Sequence, residues 1–226
     1  MAESQQAGGE VAGEAPRYRS AVGPPHKYDR IAAMQFNILT YLGLREHHRL
    51  LDVGCGSLRA GRLFIPYLLP DHYFGLEPQQ WLVEEGIRHE LGQDAVRIKR
   101  PTFSHADDFK LSVFGQDFDF VIANSIFTHA AEHQIRTCLS EVKKVLTSQG
   151  TMAATFIPGE ENYEGDKWRR GAVKYRPEYM RAMIEEAELD VATLGWPHPN
   201  EKQRWLLIRH DGADERARNV TPPAAI

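Results

Sequence analysis

The most informative part of the chain is "LLDVGCGSLRAG", residues 50–61, where apolar residues and an aspartate lead into a glycine-rich turn. In an open α/β sheet, ligands collect at the carboxyl ends of the strands, and glycines there let the backbone approach a ligand closely. Gly54 and Gly56 stand at such a place. The stretch predicts a buried strand followed by a turn that holds a nucleotide-like cofactor.

Two large classes of cofactor use such turns, and the neighbouring residues distinguish them. A dinucleotide fingerprint has a third glycine three positions after the second, so that helix and strand pack closely over the pyrophosphate. That position is Arg59, and Asp52 places a negative charge where a pyrophosphate would lie. S-adenosylmethionine carries an ammonium and a sulfonium group and no phosphate, so a carboxylate attracts it. Glu77, at the end of the next predicted strand, suits a ribose in either class.

Strand-like and helix-like segments alternate around this turn, which predicts an α/β fold with a largely parallel sheet. In the leading segment, Ile31, Ile38 and Leu42 fall on one helical face. The predicted strands are residues 49–53, 73–77, 117–124, 151–157, 190–196 and 204–210. The predicted helices are residues 27–44, 59–69, 81–91, 132–146 and 177–189, with Gly150 as a stop signal after the fourth of them. We expect the last two strands to form a hairpin at one edge of the sheet.

Composition limits the classes of function that remain. The chain has 226 residues, of which 42% are hydrophobic, so it can build one sizeable core. Its net charge of −4 argues against a broad surface for nucleic acid. Cys55 and Cys138 lack metal-ligand or disulfide spacing, which predicts a reducing, cytoplasmic location. No apolar run has the length of about 20 residues that a membrane span requires.

The two ends of the chain differ from its middle. Residues 1–24 are rich in Ala, Gly, Glu and Gln and are predicted to be a disordered tail, and residues 212–226 a flexible one. The folded domain is predicted to span residues 25–211. Within it, residues 158–176 form an insertion after the predicted strand 151–157, where such folds often cover the substrate.

Several ordered motifs together resemble those of class I S-adenosylmethionine-dependent methyltransferases. The turn reads "DVGCG", against the family's D/E-x-G-x-G. "YFGLEP", "ADDF", "FDFVIANSIFTHA" and "EVKKVLTSQGTMAATF" follow in the family's order, and the resemblance covers residues 27–210. It implies methyl transfer on a Rossmann-like three-layer sandwich, with a mostly parallel seven-stranded sheet and a C-terminal antiparallel hairpin.

The resemblance also implies how the cofactor is bound. Asp52, Gly54 and Gly56 would surround the methionine part, and Glu77 the ribose. Asp108, or less favourably Asp107, would accept a hydrogen bond from the adenine amine. The remaining expected cofactor contacts are Phe109 against the adenine ring, Asn124 and Ser125 along the pocket, and Tyr28 folded over the cofactor.

The acceptor is indicated mainly by missing motifs. Exocyclic-amine methyltransferases of nucleic acids carry N/D-P-P-Y/F after the fourth strand, where this chain has "NSIF". No metal-binding cluster is expected. His129 lies just after this strand and is the best candidate for a general base, although it equally suits a helix cap. His105 and His198 are weaker candidates and are expected to be surface or turn residues.

The insertion is the expected acceptor-binding segment. Basic residues there alternate with aromatic ones, and arginine pairs well with carboxylate or phosphate. An anionic or sugar-bearing small molecule is therefore the expected acceptor, although a solvated loop explains the same composition. The expected substrate contacts are Trp168, Arg169, Arg170 and Tyr175.

Three interpretations stay open for the whole chain. The first is a small-molecule methyltransferase, acting for example in natural-product or glycan modification. The second is an RNA methyltransferase, which is supported only by the basic patch at residues 167–176. The third is a non-catalytic module that binds S-adenosylmethionine or a partner protein. Oligomeric state has no signal in the sequence.

Overall fold

A computed structural model describes residues 16–211, which form one seven-stranded sheet with helices on both faces. The strands are β1 (Leu50–Val53), β2 (Tyr73–Leu76), β3 (Thr102–Ser104), β4 (Phe118–Ala123), β5 (Leu146–Phe156), β6 (Leu189–Leu194) and β7 (Arg204–His210). The α-helices are α1 (Arg17–Ala21), α2 (Tyr28–Tyr41), α3 (Gly61–Tyr67), α4 (Gln80–Gly86), α5 (Gln93–Lys99), α6 (Glu132–Val145) and α7 (Pro177–Glu186).

The order of the strands creates the ligand-binding crevice. The strands lie in the order β3-β2-β1-β4-β5-β7-β6, and β1 pairs in parallel with both β2 and β4. After β1 the chain thus continues to β2 on one side of β1, and it later returns to the sheet as β4 on the other side of β1. Ligands of open α/β sheets bind at such a switch point, beyond the carboxyl ends of the strands. The residues that follow β1 and β4 therefore meet at the expected place.

β7 is the one strand of the described sheet that runs against the others. β7 pairs antiparallel with β5 on one side and with β6 on the other, so β6 is the edge strand. The predicted hairpin and the predicted mostly parallel sheet of seven strands are both confirmed.

Two apolar cores fill the spaces between the sheet and its covering helices, which gives the predicted three layers. One core joins the sheet to α6 and α7 through residues such as Leu139 and Met183, which are fully buried. The other joins it to α2 and α3 through Ile38 and Phe64. The apolar stripe predicted for the leading helix thus faces the second core.

The structure changes several predicted boundaries. Gly150 does not stop helix α6, which ends at Val145 and passes directly into β5; Gly150 lies inside that strand. A side chain at this glycine would approach Leu146 Cγ to 2.7 Å, so the close packing explains the glycine. β3 has only three residues, none of them buried, and therefore shows no apolar run. The predicted helix 81–91 continues beyond α4 as a π-helical turn at Ile87–Leu91.

Part of the predicted N-terminal tail is folded. Helix α1 lies inside the range 1–24. It packs on the π-helical turn, where Tyr18 is buried and its ring stacks on that of His89 with ring centroids 5.4 Å apart. Glu90, whose side chain is 3% exposed, accepts hydrogen bonds from Tyr18 Oη and Arg19 Nε at 2.9 and 2.7 Å. The ordered chain therefore begins earlier than predicted. Residues 1–15 and the predicted tail 212–226 lie outside the described part of the chain.

Candidate functional site

The glycine-rich turn joins the end of β1 to the start of α3. The backbone N–H groups of Gly54 and Cys55 both donate to Leu76 O, at 2.7 and 3.1 Å, which holds the turn against β2. Gly54 has φ +74°, and a Cβ there would lie 2.1 Å from Ile126 Cδ1. Gly56 has φ +55°, and a Cβ there would lie 2.7 Å from Val22 Cγ1. Both positions therefore require glycine, in backbone conformation and in space.

Glu77 fixes the shape of this turn from the neighbouring strand. Its Oε2 accepts a hydrogen bond from the backbone N–H of Gly56 at 3.1 Å, and its Oε1 accepts one from Gln79 at 2.9 Å. Burial raises the pKa of this carboxyl above its usual value, while the two backbone donors oppose the rise. His105 Nδ1 lies 2.7 Å from the carbonyl oxygen of Glu77, so His105 supports the loop that follows β3.

Asp52 places a buried carboxylate below the turn. Its side chain accepts one hydrogen bond, from Tyr73 Oη at 2.8 Å, and 3% of the residue is exposed. Burial raises the pKa of this carboxyl from 3.8 to about 6, against the lowering effects of the Tyr73 hydroxyl and the nearby Arg59. A buried negative charge with so little compensation favours a cationic ligand.

A small cleft opens beside the turn, and its lining joins the ends of β1 and β4. Two nitrogen atoms of the lining side chains, Arg59 Nε and Asn124 Nδ2, are buried without a hydrogen-bond partner within residues 16–211. Asn124 Oδ1 lies 3.1 Å from Nε2 of His198, which comes from the loop between β6 and β7. The lining residues are Val22, Gln35, Asp52, Gly54, Cys55, Gly56, Arg59, Ala60 and Asn124.

Ser125, the residue after Asn124, is held in a strained conformation. Its φ is +63°, a region that non-glycine residues rarely adopt. The hydroxyl of Thr155 accepts a hydrogen bond from the backbone N–H of Ser125 at 2.7 Å, and Gln203 Nε2 donates to Ser125 Oγ at 2.9 Å. Side chains from β5 and from the start of β7 therefore fix the backbone immediately after β4.

Tyr28 supports the turn from α2 rather than covering the cleft. It is 1% exposed, and its hydroxyl lies 3.1 Å from both the carbonyl oxygen and the hydroxyl of Ser57. The guanidinium groups of Arg19 and Arg62 lie over its ring, 4.5 and 5.3 Å from the centroid. The sequence predicts that Tyr28 folds over the cofactor. In the structure its side chain instead contacts the turn itself.

The loop after β3 carries the expected adenine contacts. Asp108 is exposed, and its Oδ1 accepts a hydrogen bond from the backbone N–H of Lys110 at 3.0 Å. Asp107 is exposed as well. Phe109, between Asp108 and Lys110, has φ +57° and packs against the core that joins the sheet to α6 and α7. These placements leave Asp108 and Phe109 as predictions for adenine binding.

The insertion, residues 158–176, is tied to the residues that follow β4. Arg169 N donates to His129 O at 2.9 Å, and His129 Nδ1 lies 2.9 Å from the carbonyl oxygen of Arg169. Since a carbonyl oxygen only accepts, Nδ1 is the donor in this contact. Trp168 is 45% exposed and stacks on His129, with ring centroids 5.5 Å apart. Arg170 is exposed beside them.

Tyr175 is not available to a substrate. It is completely buried, and its hydroxyl donates to the carbonyl oxygen of Ala130 at 2.9 Å. Its backbone pairs with Ile157 and Gly159 at 3.2 and 3.0 Å. The prediction of a substrate contact is corrected here: Tyr175 anchors the end of the insertion in the core.

Two kinds of feature are absent from residues 16–211. No group of three or more His, Cys, Asp or Glu side chains is arranged to hold a metal ion within this range. No helix in the same range is both long enough and apolar enough to cross a membrane.

Comparison with known proteins agrees with this geometry. Residues 51–152 match the family model described as a methyltransferase domain. This segment resembles a methyltransferase domain. The fold is the class I fold that the sequence predicted. No curated protein sequence is significantly similar to the chain.

Several solved structures share the fold of this chain at low sequence identity. An S-adenosylmethionine-dependent methyltransferase from Clostridium acetobutylicum is 12% identical, with a TM-score of 0.60, over 82% of this chain and 92% of that one. Magnesium protoporphyrin IX methyltransferase from Synechocystis, with bound S-adenosylmethionine, is 18% identical, with a TM-score of 0.59, over 85% and 89%. The glycopeptide N-methyltransferase MtfA is 13% identical, with a TM-score of 0.60, over 79% and 90%.

The residues of the turn fit S-adenosylmethionine. The buried carboxylate of Asp52 suits a cationic group, and Gly54 and Gly56 let the turn pack closely against Ile126 and Val22. Sequence reasoning missed the contributions of Arg59 and His198 to this region. In the sequence, Arg59 stands out only because it replaces the third glycine of the dinucleotide fingerprint. His198 is expected at the surface, but only 7% of this residue is exposed.

Proposed function

We propose that this chain is an S-adenosylmethionine-dependent methyltransferase that acts on a small acceptor carrying a negative charge or a sugar. The proposal depends mainly on the position of Trp168. Its ring lies 5.5 Å from that of His129 and 6.4 Å from that of Phe109, measured between centroids. The insertion thus meets the expected base and the expected adenine contact at one place, with the exposed side chains of Arg169 and Arg170 beside it.

The cofactor residues follow from the turn and its neighbours. Asp52, Gly54 and Gly56 would hold the methionine part, and Glu77 the ribose. Asp108 and Phe109 are the proposed adenine contacts. When bound, S-adenosylmethionine supplies a methyl group activated by a sulfonium. Transfer is an in-line displacement at carbon, so these residues contribute mainly by alignment.

His129 is the proposed general base for a hydroxyl acceptor. Its Nδ1 proton is used in the contact with the carbonyl oxygen of Arg169, which leaves Nε2 as a proton acceptor. The acceptor oxygen would bond to the methyl carbon as the carbon–sulfur bond breaks and S-adenosylhomocysteine leaves, while the proton of the hydroxyl would pass to Nε2. A base is needed only for a hydroxyl or a protonated amine, so a carboxylate acceptor would not depend on His129.

Two observations support a small acceptor over RNA. The chain has a net charge of −4, whereas a protein that binds nucleic acid usually presents a basic domain. Among proteins of the same fold, one acts on a glycopeptide and one on magnesium protoporphyrin IX. An aromatic and arginine-rich insertion suits such ring-bearing or charged molecules.

The test is a methyl-transfer assay with labelled S-adenosylmethionine. The acceptor panel contains small carboxylates, phosphate esters and glycosides, with total RNA as a separate arm. We expect turnover with at least one anionic or sugar-bearing small molecule. Turnover with RNA alone would contradict the proposal, and cofactor binding without any turnover would favour a binding module.

The role of the insertion is tested on the best acceptor found. Trp168→Ala and Arg169→Gln should raise the acceptor KM about tenfold, which is the effect of 1.4 kcal/mol of lost binding energy. Both should leave the affinity for S-adenosylhomocysteine unchanged. Arg97→Gln is a matched control, because this arginine lies on α5 with 73% of its side chain exposed.

A further inference from the structure

We propose that Arg59 and Asn124 form a carboxylate-binding pair for the amino-acid end of the cofactor, and that His198 positions Asn124 for this contact. The inference rests on the use of S-adenosylmethionine by this chain. It assigns a function to two residues, Arg59 and His198, that the sequence motifs do not identify.

The first observation is that two hydrogen-bond donors face one cleft without an acceptor. Arg59 Nε and Asn124 Nδ2 are both buried and unpartnered within the described range, and both residues line the cleft beside the glycine turn. A buried donor without an acceptor is costly, and such groups normally have a partner. Two of them at one cleft therefore indicate a ligand with acceptor oxygens.

The charge of Arg59 specifies the kind of acceptor. Its Nη1 donates to the carbonyl oxygen of Val22 at 2.7 Å, which fixes the guanidinium in place. Burial lowers the pKa of Arg59 to about 10, so the group stays positively charged at neutral pH. A planar guanidinium pairs particularly well with a carboxylate. The same cleft is lined by Asp52, which suits an ammonium group.

The orientation of the Asn124 amide follows from the hydrogen bonds of His198. The backbone N–H of Asn200 donates to His198 Nδ1 at 2.9 Å, so Nδ1 must accept. The carbonyl oxygen of Asn200 is farther from the same atom, at 3.1 Å. Burial lowers the pKa of His198 to about 4, so the neutral ring has a single proton, and that proton is on Nε2.

The amide orientation then decides which atom faces the cleft. His198 Nε2 lies 3.1 Å from Asn124 Oδ1, and its proton makes the imidazole the donor. Asn124 Oδ1 is therefore used as the acceptor, and Nδ2 is the atom left without a partner. His198 thus turns a donor, rather than an acceptor, toward the ligand. Without it the amide would be free to turn over.

Together these groups are complementary to the zwitterion of an α-amino acid. Arg59 and Asn124 supply donors for a carboxylate, and Asp52 accepts from an ammonium group. S-adenosylmethionine and S-adenosylhomocysteine have this zwitterion at one end. 5′-Methylthioadenosine contains the adenosine and the sulfur but lacks the amino-acid end, so it separates the contribution of these residues from that of the rest of the site.

The experiment measures, by calorimetry, the affinities of wild type and variants for S-adenosylhomocysteine and 5′-methylthioadenosine. We expect Arg59→Met to weaken S-adenosylhomocysteine at least about tenfold and to leave 5′-methylthioadenosine within about twofold. Asn124→Asp, which replaces the donor by an acceptor, should have the same selective effect, and it carries the test if Arg59→Met does not fold. Arg97→Met is the matched control and should change neither affinity.

His198 requires a readout that general loss of structure would not produce. His198→Leu should lower the preference for S-adenosylhomocysteine about threefold or more, because the Asn124 amide is no longer held. His198→Gln retains an N–H donor at the position of Nε2 and should restore the preference.

Three results would overturn the proposal. Equal weakening of both ligands by Arg59→Met and Asn124→Asp would show only a damaged turn, and no weakening of either would show that the pair does not contact the cofactor. In both cases wild type still binds S-adenosylhomocysteine, so the proposed function stands. Failure of wild type to bind S-adenosylhomocysteine would overturn both the proposed function and this inference.

Discussion

Asp52→Asn should make the protein without cofactor more stable at neutral and alkaline pH while weakening its binding of cofactor. The substitution keeps an oxygen that accepts from Tyr73 Oη and removes the buried negative charge. The pKa of Asp52 rises from 3.8 to about 6 on folding, because the carboxyl is buried. A raised pKa means that the folded state binds the proton more tightly than the unfolded state does.

The sign and the pH range of the effect follow from these values. Below pH 4 Asp52 is protonated in both states, and the charge has no cost. As the pH rises through 4 to 6 the wild type loses stability, because ionisation is easier in the unfolded chain. Above pH 6 the loss is complete and amounts to about 3 kcal/mol, from a difference of about two pKa units at 1.36 kcal/mol each.

The assay is urea unfolding of the cofactor-free protein at several pH values between 4 and 8. The free energy of unfolding of Asp52→Asn minus that of wild type should grow by about 3 kcal/mol across this range. Asp94→Asn is the matched control, since 89% of that side chain is exposed, and its difference should stay flat with pH. A flat difference for Asp52→Asn as well would refute the reasoning, as would tighter binding of S-adenosylhomocysteine by this variant at pH 8.

Three other substitutions test the packing around the site. Gly54→Ala should lower the free energy of unfolding by about 2 kcal/mol and abolish cofactor binding, because φ is +74° and the new Cβ would lie 2.1 Å from Ile126 Cδ1. Glu90→Gln should cost about 3 kcal/mol in urea unfolding, since it leaves two partly buried arginines without their shared carboxylate. Tyr175→Phe should cost about 1 kcal/mol in the same assay, through loss of the bond to Ala130, with the acceptor KM unchanged.

Each of these substitutions has a control at a position outside the core. Gly171→Ala adds a Cβ that meets only Arg169 Nε, at 3.7 Å. Glu85→Gln breaks a surface ion pair with Arg88, whose side chain is 67% exposed. Tyr163→Phe removes an exposed hydrogen bond. The controls should each change the free energy of unfolding by about 0.5 kcal/mol or less. A control that matches its test substitution would contradict the corresponding structural argument.

The sequence predicted the fold well because the core strands and helices have strong patterns. β1, β2 and β4 are short apolar runs, and α6 carries an apolar stripe, so burial and periodicity agree. β3 escaped detection because its three residues are only partly covered. Its pairing with β2 depends on the rest of the sheet, which no local pattern shows.

The sequence predicts the residues of the site only where they belong to a recognisable motif. Asp52 and Glu77 were placed correctly at the ends of adjacent strands, because the spacing of the turn determines those positions. Arg59 and His198 were missed, since the burial of a polar side chain depends on distant segments, here α1 and the loop before β7. Tyr175 had a local signal that was overlooked: Val173 and Tyr175 alternate with exposed residues, which is typical of a segment with one buried face.

The most direct test of the account is calorimetric titration of the wild-type protein at pH 8 with S-adenosylhomocysteine and, in parallel, with NADH. The account predicts one site per chain with micromolar affinity for S-adenosylhomocysteine and no binding of NADH, because Asp52 and Arg59 replace the features that a pyrophosphate requires. Binding of NADH, or absence of binding by S-adenosylhomocysteine, would contradict the assignment of the turn.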